Sequence, residues 1–148
     1  MAENAPSDAV VRAWARLVKA QHKVLGSVEA DLRRAGFPPL AWYDLLLELR
    51  RTEERGLRQR EIEGKLLLAQ HNVSRLVDRL ERAGFARRYP VVEDGRGQLV
   101  SITESGRELL RRMWPVYRQA IARHVGGKLG DEARADALAE LLGRLIDA

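Results

Sequence analysis

A single arginine, Arg96, lies in the middle of a turn whose sequence is EDGRGQ, residues 93–98. The preceding pair, Asp94 and Gly95, is typical of a tight hairpin turn, because glycine accepts the positive φ that such a turn requires. The guanidinium is therefore expected at an exposed loop tip, where the chemistry it offers is the binding of an anionic group. Asp94 is placed to orient that guanidinium by a charge-assisted hydrogen bond.

Basic residues are concentrated around this turn rather than spread along the chain. Of the 26 Lys and Arg and the 21 Asp and Glu, 13 basic and 8 acidic residues lie between Arg55 and Arg112, so the two signs balance in the remainder. The net charge of +5 therefore belongs to the middle of the sequence. A local positive field favours a polyanion such as nucleic acid, although a charged run is also common on a plain solvated surface.

The composition argues against several other kinds of chemistry. With no cysteine, the 148-residue chain offers no disulfide, thiolate metal site or thiol redox centre. The three histidines, His22, His71 and His124, lack the spacing of metal ligands, and the sequence has no phosphate-binding glycine loop or nucleophile motif. We therefore expect a protein that is not an enzyme and that uses no metal or cofactor.

Nothing in the sequence is expected to enter a membrane. No apolar run approaches the roughly 20 residues that span a bilayer, and MAENAPSDAV lacks the basic and apolar regions of a secretory signal. The sequence therefore predicts a soluble protein of the cytoplasm.

Outside the turn, the candidate polar residues lie on segments whose apolar pattern predicts helices. Apolar residues at three- and four-residue steps predict a long helix that starts near Ser7 and stops at Gly36. A second helix, LAWYDLLLELRR, is apolar over more than one face, as expected of a buried helix. RQREIEGKLL and AQHNVSRLVDRLERAG then predict a short and a longer helix, separated by two or three residues, with Gly84 as the C-terminal cap of the longer one.

Two short helices with a minimal turn, the second one basic, predict a helix-turn-helix whose second helix enters the major groove of DNA. This second helix has one apolar face, formed by Val73, Leu76, Val77 and Leu80. Because only the first turns of such a helix reach base edges, the candidate base-reading residues are Gln70, His71, Asn72, Ser74 and Arg75. Arg79 and Arg82 are expected to contact phosphates. Taken alone, the segment would equally suit a solvated helix of a bundle.

The segment after this helix favours the DNA-binding interpretation. RRYPVV and QLVSI have the β-branched residues of two short strands, one on each side of the Asp94-Gly95 turn. A hairpin after a helix-turn-helix is a wing, and a wing lies along the duplex. Arg96 at its tip is then placed to enter the narrow, electronegative minor groove.

The sequence resembles the MarR family of bacterial transcriptional regulators over essentially its full length. The family's wing signature is Asp-x-Arg, five residues, Leu-Thr, two residues and Gly, and this chain has at those places Asp94, Arg96, Ile102, Thr103 and Gly106. Only Ile102, for leucine, departs from the signature. The segment SRLVDRLERAGFARR, residues 74–88, is similar to the family's recognition helix and its exit into the wing. Arg58 and Ala69 stand where many members have a helix-capping residue.

The resemblance implies a mainly α-helical, winged helix-turn-helix fold with long terminal dimerisation helices and a two-stranded β-wing. It implies a single domain over residues 1–148. Within it, residues 1–38 and 106–148 would supply the dimerisation helices, and residues 39–105 would form the DNA-binding lobe.

The end of the chain fits this scheme. Thr103 is expected to cap a long helix that continues past Pro115, and a last helix is expected from Asp131 to Ile146. Apolar side chains recur along these terminal helices in larger numbers than a monomer could cover, which favours an obligate homodimer.

The function that the resemblance implies is sequence-specific binding of double-stranded DNA by a homodimer, on a pseudo-palindromic operator, with repression that responds to a ligand. Members commonly bind small aromatic or phenolic anions between the dimer helices and the DNA-binding lobe. The candidate effector-binding residues are Trp14, His22, Trp42 and Asp44. Each has a plainer interpretation, since tryptophan is commonly a core residue and a buried aspartate commonly has an ion-pair partner.

Two other functions remain open at this point. A winged helix used for protein contacts would leave the basic face solvated or bound to an acidic partner, but it has no need of Asp94 and Arg96 on a turn tip. A nonspecific architectural DNA binder would not need the polar, base-reading side chains of Gln70, Asn72 and Ser74.

Overall fold

A computed structural model describes residues 4–52, 55–68, 72–91 and 97–147 of the chain. The helices are α1 (Asp8–Arg34), α2 (Leu40–Arg51), α3 (Gln59–Glu63), α4 (Val73–Arg82), α5 (Glu104–Ile121), the short α6 (Gly127–Leu129) and α7 (Glu132–Ile146), with a π-helical segment, Ala122–Gly126, between α5 and α6. The strands are β1 (Leu57–Arg58), β2 (Ala86–Pro90) and β3 (Gln98–Ile102). The mainly α-helical, winged fold expected from the sequence is therefore confirmed.

The chain divides into two compact units. We call the described residues 4–31 and 117–147 the terminal-helix unit, and the described residues within 32–116 the winged unit. No helix of the described residues is both long and apolar enough to cross a membrane.

The winged unit has a core of almost fully buried side chains that come from its helices and its sheet. The largest of them are Leu32, Leu45, Leu46, Leu49, Leu57, Ile62, Val77, Leu80, Val100, Leu110 and Met113. α2 supplies three of these leucines, as its apolar character on several faces predicted.

Local hydrogen bonds set the ends of the terminal helices. The Ser7 hydroxyl accepts from the N–H of Val10 (3.2 Å), so α1 begins where the sequence predicted. Asp131 caps α7 in the same way, through the N–H of Arg134 (2.8 Å). Gly36 has a φ of +83°, a left-handed conformation that glycine adopts at low cost, and it ends α1.

The sheet contains the predicted hairpin and one further strand. β2 and β3 pair antiparallel, from Ala86 opposite Ile102 to Pro90 opposite Gln98. β1 pairs antiparallel with the other edge of β3, so the order is β1-β3-β2. The sequence did not predict β1, because a strand of two residues has no alternation of its own and exists only through its partner.

The connection between α3 and α4 is longer than the predicted two or three residues. α3 ends at Glu63 and α4 begins at Val73. The Asn72 side chain caps α4, so the helix begins after Asn72 rather than near Ala69, the position where the resemblance suggested a cap. At the start of α3, the Glu61 carboxylate accepts a hydrogen bond from the backbone N–H of Arg58 (3.0 Å). The Arg58 side chain cannot cap the helix itself, because a guanidinium group has no hydrogen-bond acceptor.

Thr103 connects the end of the sheet to the start of α5. Its hydroxyl donates to the Gly84 carbonyl (2.6 Å) and accepts from the Gly106 N–H (3.1 Å), which confirms the predicted cap. Its own N–H donates to the Phe85 carbonyl (3.1 Å). At Gly106 the backbone comes so close to the Phe85 carbonyl that a Cβ atom would collide with that oxygen, and the Cβ would also lie 2.8 Å from Cγ1 of Ile102.

We expect Gly106→Ala to lower the free energy of unfolding by about 2–3 kcal/mol, because the added methyl group meets backbone that cannot move aside without disturbing the Thr103 contacts. Gly64→Ala is the matched control in the same unit, since its Cβ would meet only the Glu61 carbonyl at an ordinary 3.8 Å. Urea denaturation followed by circular dichroism measures both. An unchanged midpoint for Gly106→Ala would contradict the close approach.

Candidate nucleic-acid interface

Helix α4 has one buried and one exposed face. Its apolar side chains are at most 5% exposed and attach the helix to the winged unit: Val73, Leu76, Val77 and Leu80. Since these residues recur at three- and four-residue steps, the polar residues between them point outward. The apolar face predicted from the sequence is therefore confirmed, and the outward residues form two stripes of opposite charge.

The basic stripe consists of Arg75, Arg79 and Arg82, which are spaced four and three residues apart and so follow one line along the helix. All three residues are exposed. None of them forms an ion pair with another described residue. Three uncompensated guanidinium groups on one line offer a surface suited to the phosphates of a nucleic acid.

The acidic stripe consists of Asp78 and Glu81, and one arginine of strand β2, Arg88, holds both. Arg88 Nη1 donates to Asp78 (2.5 Å) and to Glu81 (3.3 Å), while Nη2 donates to the Ser74 carbonyl (3.1 Å). The backbone N–H of Arg88 donates to the other oxygen of Glu81 (2.8 Å). The Arg88 side chain is 17% exposed, whereas Asp78 and Glu81 are 50% and 39% exposed. The contact fastens α4 to β2 and sets a positive charge against the two carboxylates.

Sequence reasoning did not single out Arg88. It lies 7 to 14 residues after the groups it contacts, on a different element, so no helical or strand periodicity connects them. The only available signal was the position of an arginine on the strand that follows the helix.

The N-terminus of α4 contains the described members of the predicted base-reading set. The Asn72 side-chain oxygen accepts from the N–H of Arg75 (3.1 Å), which stabilises the first turn and leaves the amide nitrogen as a donor. Ser74 and Arg75 are exposed beside it. The structure thus brings Asn72, Ser74 and Arg75 together on the first turn of the helix.

Four of the predicted DNA-binding residues, Gln70, His71, Asp94 and Arg96, lie outside the described residues. The described part of the wing closes with a hydrogen bond from the Val91 N–H to the Gly97 carbonyl (3.0 Å). Towards the turn end of β2, the Tyr89 hydroxyl donates to the Arg55 carbonyl (3.0 Å), which connects β2 to the segment before β1.

Asp44, a candidate effector residue, has a structural contact. It is 6% exposed, and its two oxygens accept from the N–H groups of Leu67 (3.0 Å) and Leu68 (2.7 Å). These two residues belong to the connection between α3 and α4. A carboxylate on buried helix α2 therefore holds that connection, where sequence reasoning considered an ion pair or a ligand contact.

The other three candidate effector residues lie in different surroundings. Trp14 is 66% exposed and His22 is exposed, both on the part of α1 that belongs to the terminal-helix unit. Trp42 belongs to the winged unit and is half-buried, with its ring edge-on to Phe85 at a centroid distance of 6.0 Å. The exposure of Trp14 does not support a place in the core of its unit.

Tyr43, between Trp42 and Asp44, is 5% exposed and stacks on Trp114, with ring centroids 6.3 Å apart. Burial raises the pKa of Tyr43 above its usual value, while the charges of Arg50 and Arg51 act in the opposite direction. The phenol is therefore neutral at physiological pH and contributes to packing as an aromatic ring.

Comparison with known sequences finds similarity to transcriptional regulators. The family model described as "MarR family" matches residues 35–97, which include α2, α3, α4 and β2. YkoM of Bacillus subtilis strain 168, named as an HTH-type transcriptional regulator, is 35% identical over 103 residues. The alignment covers 69% of this chain and 64% of the length of YkoM.

Solved structures agree with the sequence comparison. Sco3205 of Streptomyces coelicolor, a MarR family transcriptional regulator solved in complex with DNA, is similar with a TM-score of 0.85 and 26% identity, covering 99% of this chain and 91% of Sco3205. BpsR of Bordetella bronchiseptica, whose DNA binding is regulated by 6-hydroxynicotinic acid, is similar in fold with a TM-score of 0.78 and 20% identity, covering 92% of this chain and 99% of BpsR.

Replacing Asp44 with alanine should destabilise the protein by about 2–3 kcal/mol, because the N–H groups of Leu67 and Leu68 lose a charged acceptor. Asp44→Asn should recover part of the loss, since its carbonyl oxygen can still accept one of the two bonds. Glu63→Ala, at the exposed end of α3, is the control and should stay within about 0.5 kcal/mol of the parent. Chemical denaturation compares the three variants, and an Asp44→Ala protein as stable as the parent would rule out the structural contact.

Proposed function

The chain belongs to the MarR family, and from that premise we propose that it regulates transcription by binding a specific double-stranded DNA sequence. The observation that carries the proposal is the basic stripe. Arg75, Arg79 and Arg82 lie on the outward line of a helix whose opposite face is buried, so the helix can enter a major groove without losing its packing.

The residues of α4 divide into two roles in this proposal. Asn72, Ser74 and Arg75, on the first turn, read base edges together with Gln70 and His71, which precede them in the sequence. Arg79 and Arg82, further along the helix, contact phosphates and contribute affinity without sequence preference. Arginine suits the first role because its planar fork forms two parallel hydrogen bonds with the acceptors of guanine.

We place the tip of the wing in the neighbouring minor groove. Arg96 would insert its guanidinium between the strands, where the narrow groove concentrates negative potential, and Asp94 would orient it. The confirmed pairing of β2 with β3 supports this part of the proposal, because the segment 92–96 connects these two strands in the sequence.

We propose that the protein acts as a homodimer and as a repressor of a pseudo-palindromic operator, in the cytoplasm. Large apolar side chains are exposed on both long helices of the terminal-helix unit: Val10, Val11, Trp14 and Val18 on α1, and Leu138, Leu141, Leu145 and Ile146 on α7. Residues 1–38 and 106–148 would supply the dimer helices, and residues 39–105 the DNA-binding lobe. Two recognition helices would then meet major grooves about 34 Å apart.

A small aromatic or phenolic anion is the effector we propose, with Trp14, His22, Trp42 and Asp44 as the residues to examine. The ligand named for BpsR, 6-hydroxynicotinic acid, is a hydroxylated aromatic acid and so has this chemistry. Trp14 is the best placed of the four to meet a partner or ligand, because two thirds of its surface is exposed. Asp44 already uses both oxygens in hydrogen bonds.

Replacing the arginines one at a time separates the two roles on α4. After the preferred sequence has been selected from random duplexes, Arg75→Ala should cost about 1–3 kcal/mol at one base position and relax the preference there. Arg82→Ala should weaken binding to all sequences alike and lower the slope of log K against log salt by about 0.9. Competition between operator variants measures both effects, and an unchanged preference in Arg75→Ala would refute the reading role.

Light scattering at micromolar concentration should give a mass of twice the 16.7 kDa chain. Leu141→Glu, which puts a charge among the exposed apolar side chains of α7, should shift the mass towards that of the monomer. Glu132→Gln at the exposed start of the same helix is the control and should leave the mass unchanged. If light scattering gave the mass of one chain for the parent protein, the homodimer would be excluded.

A further inference from the structure

The contacts of Arg88 connect α4 to β2, and they also place a positive charge beside the two acidic side chains of α4. The three groups that Arg88 contacts, on Ser74, Asp78 and Glu81, recur four and three residues apart and so follow one line along the helix. Each member of the basic stripe comes one residue after a member of this line. The two lines therefore run side by side, about 100° apart around the helix.

Without Arg88, the acidic stripe would oppose binding of a polyanion by its neighbour. Asp78 and Glu81 are 50% and 39% exposed, and each directly precedes an arginine of the basic stripe. Charges that are closer than the Debye length, about 10 Å at 0.1 M salt, are only partly screened from one another. Two carboxylates on neighbouring helix positions, with no positive charge facing them, would repel phosphates and attract the side chains of Arg79 and Arg82.

We propose that Arg88 is a positioning residue for DNA binding, which holds Asp78 and Glu81 on the side of β2 and so leaves the basic stripe free for phosphates. The inference rests on the proposed function, because it requires the basic stripe to face DNA. Arg88 suits this task because its planar fork reaches the Ser74 carbonyl and the two carboxylates at once, which a lysine ammonium cannot do in the same geometry. A residue of β2, the first strand of the wing, thereby pairs the negative charges of α4 and leaves its positive charges without an acidic partner among the described residues.

The test compares full-length variants on one labelled duplex of random sequence, by fluorescence anisotropy between about 50 and 200 mM salt. Arg88→Met removes the charge and keeps a long apolar stem. It should lower affinity about tenfold at the lowest salt, because the positive charge facing the two carboxylates is lost and their repulsion of phosphates beside the basic stripe increases. Adding Asp78→Asn and Glu81→Gln to Arg88→Met should restore the affinity to within about threefold of the parent.

This rescue distinguishes charge balance from a merely structural role. If Arg88 only fastened α4 to β2, removing the two carboxylates would not restore binding, so a folded triple variant as weak as Arg88→Met would overturn the proposal. Arg118→Met, an exposed arginine of the terminal-helix unit, controls for the loss of one charge and should change affinity less than about twofold.

Asp78→Asn/Glu81→Gln in the parent keeps the test decisive even if Arg88→Met does not fold. This variant frees Arg88 and removes two negative charges, so it should bind the duplex at least as tightly as the parent, and weaker binding would overturn the proposal.

Selection of preferred sequences by the parent protein tests the proposed function separately. A parent that binds duplex without preference would end the sequence-specific function, while the comparison of charge variants would still decide the role of Arg88. A parent that binds no duplex at low salt would overturn both.

Discussion

The Thr103 hydroxyl joins the segment after α4 to the first turn of α5 by donating one hydrogen bond to Gly84 and accepting one from Gly106. The same residue directly follows β3 and donates its N–H to the Phe85 carbonyl, so the end of the strand, the end of α4 and the start of α5 come close together. Gly106 permits this meeting because it has no Cβ to collide with that carbonyl. This meeting point fixes the exit of the chain from α4 into the sheet, and the proposed DNA binding depends on how α4 is placed there.

Much of the winged unit could be predicted, because its signals are local and periodic. The apolar face of α4, the cap by Thr103 and the pairing of β2 with β3 each depend on signals that lie within short stretches of the sequence. The connection between α3 and α4 could not be predicted in the same way. Its composition suits a helix, but the N–H groups of Leu67 and Leu68 donate to Asp44, which lies more than twenty residues earlier. A hydrogen bond to so distant a residue cannot be recognised from the sequence of the connection itself.

The charge of the candidate interface shows a similar limit. A count over α4 alone finds three arginines against one aspartate and one glutamate, and so a helix of low net charge. In the folded chain Arg88 contacts both carboxylates from β2, and the three arginines keep no acidic partner among the described residues. The field that a polyanion meets is decided by which charges are paired across elements, and formal net charge describes it poorly.

The cap formed by Asn72 constrains how the proposed preference for a DNA sequence could change in descendants. Ser74 and Arg75 are exposed and can be exchanged at little cost to the fold, whereas Asn72 also accepts the N–H of Arg75 at the start of α4. Losing such a cap costs about 0.5–2 kcal/mol, except to the few residue types that can replace it. In the proposed base-reading role, selection for new target sites would therefore act first through Ser74 and Arg75. Position 72 itself would change more slowly, among asparagine, aspartate, serine and threonine.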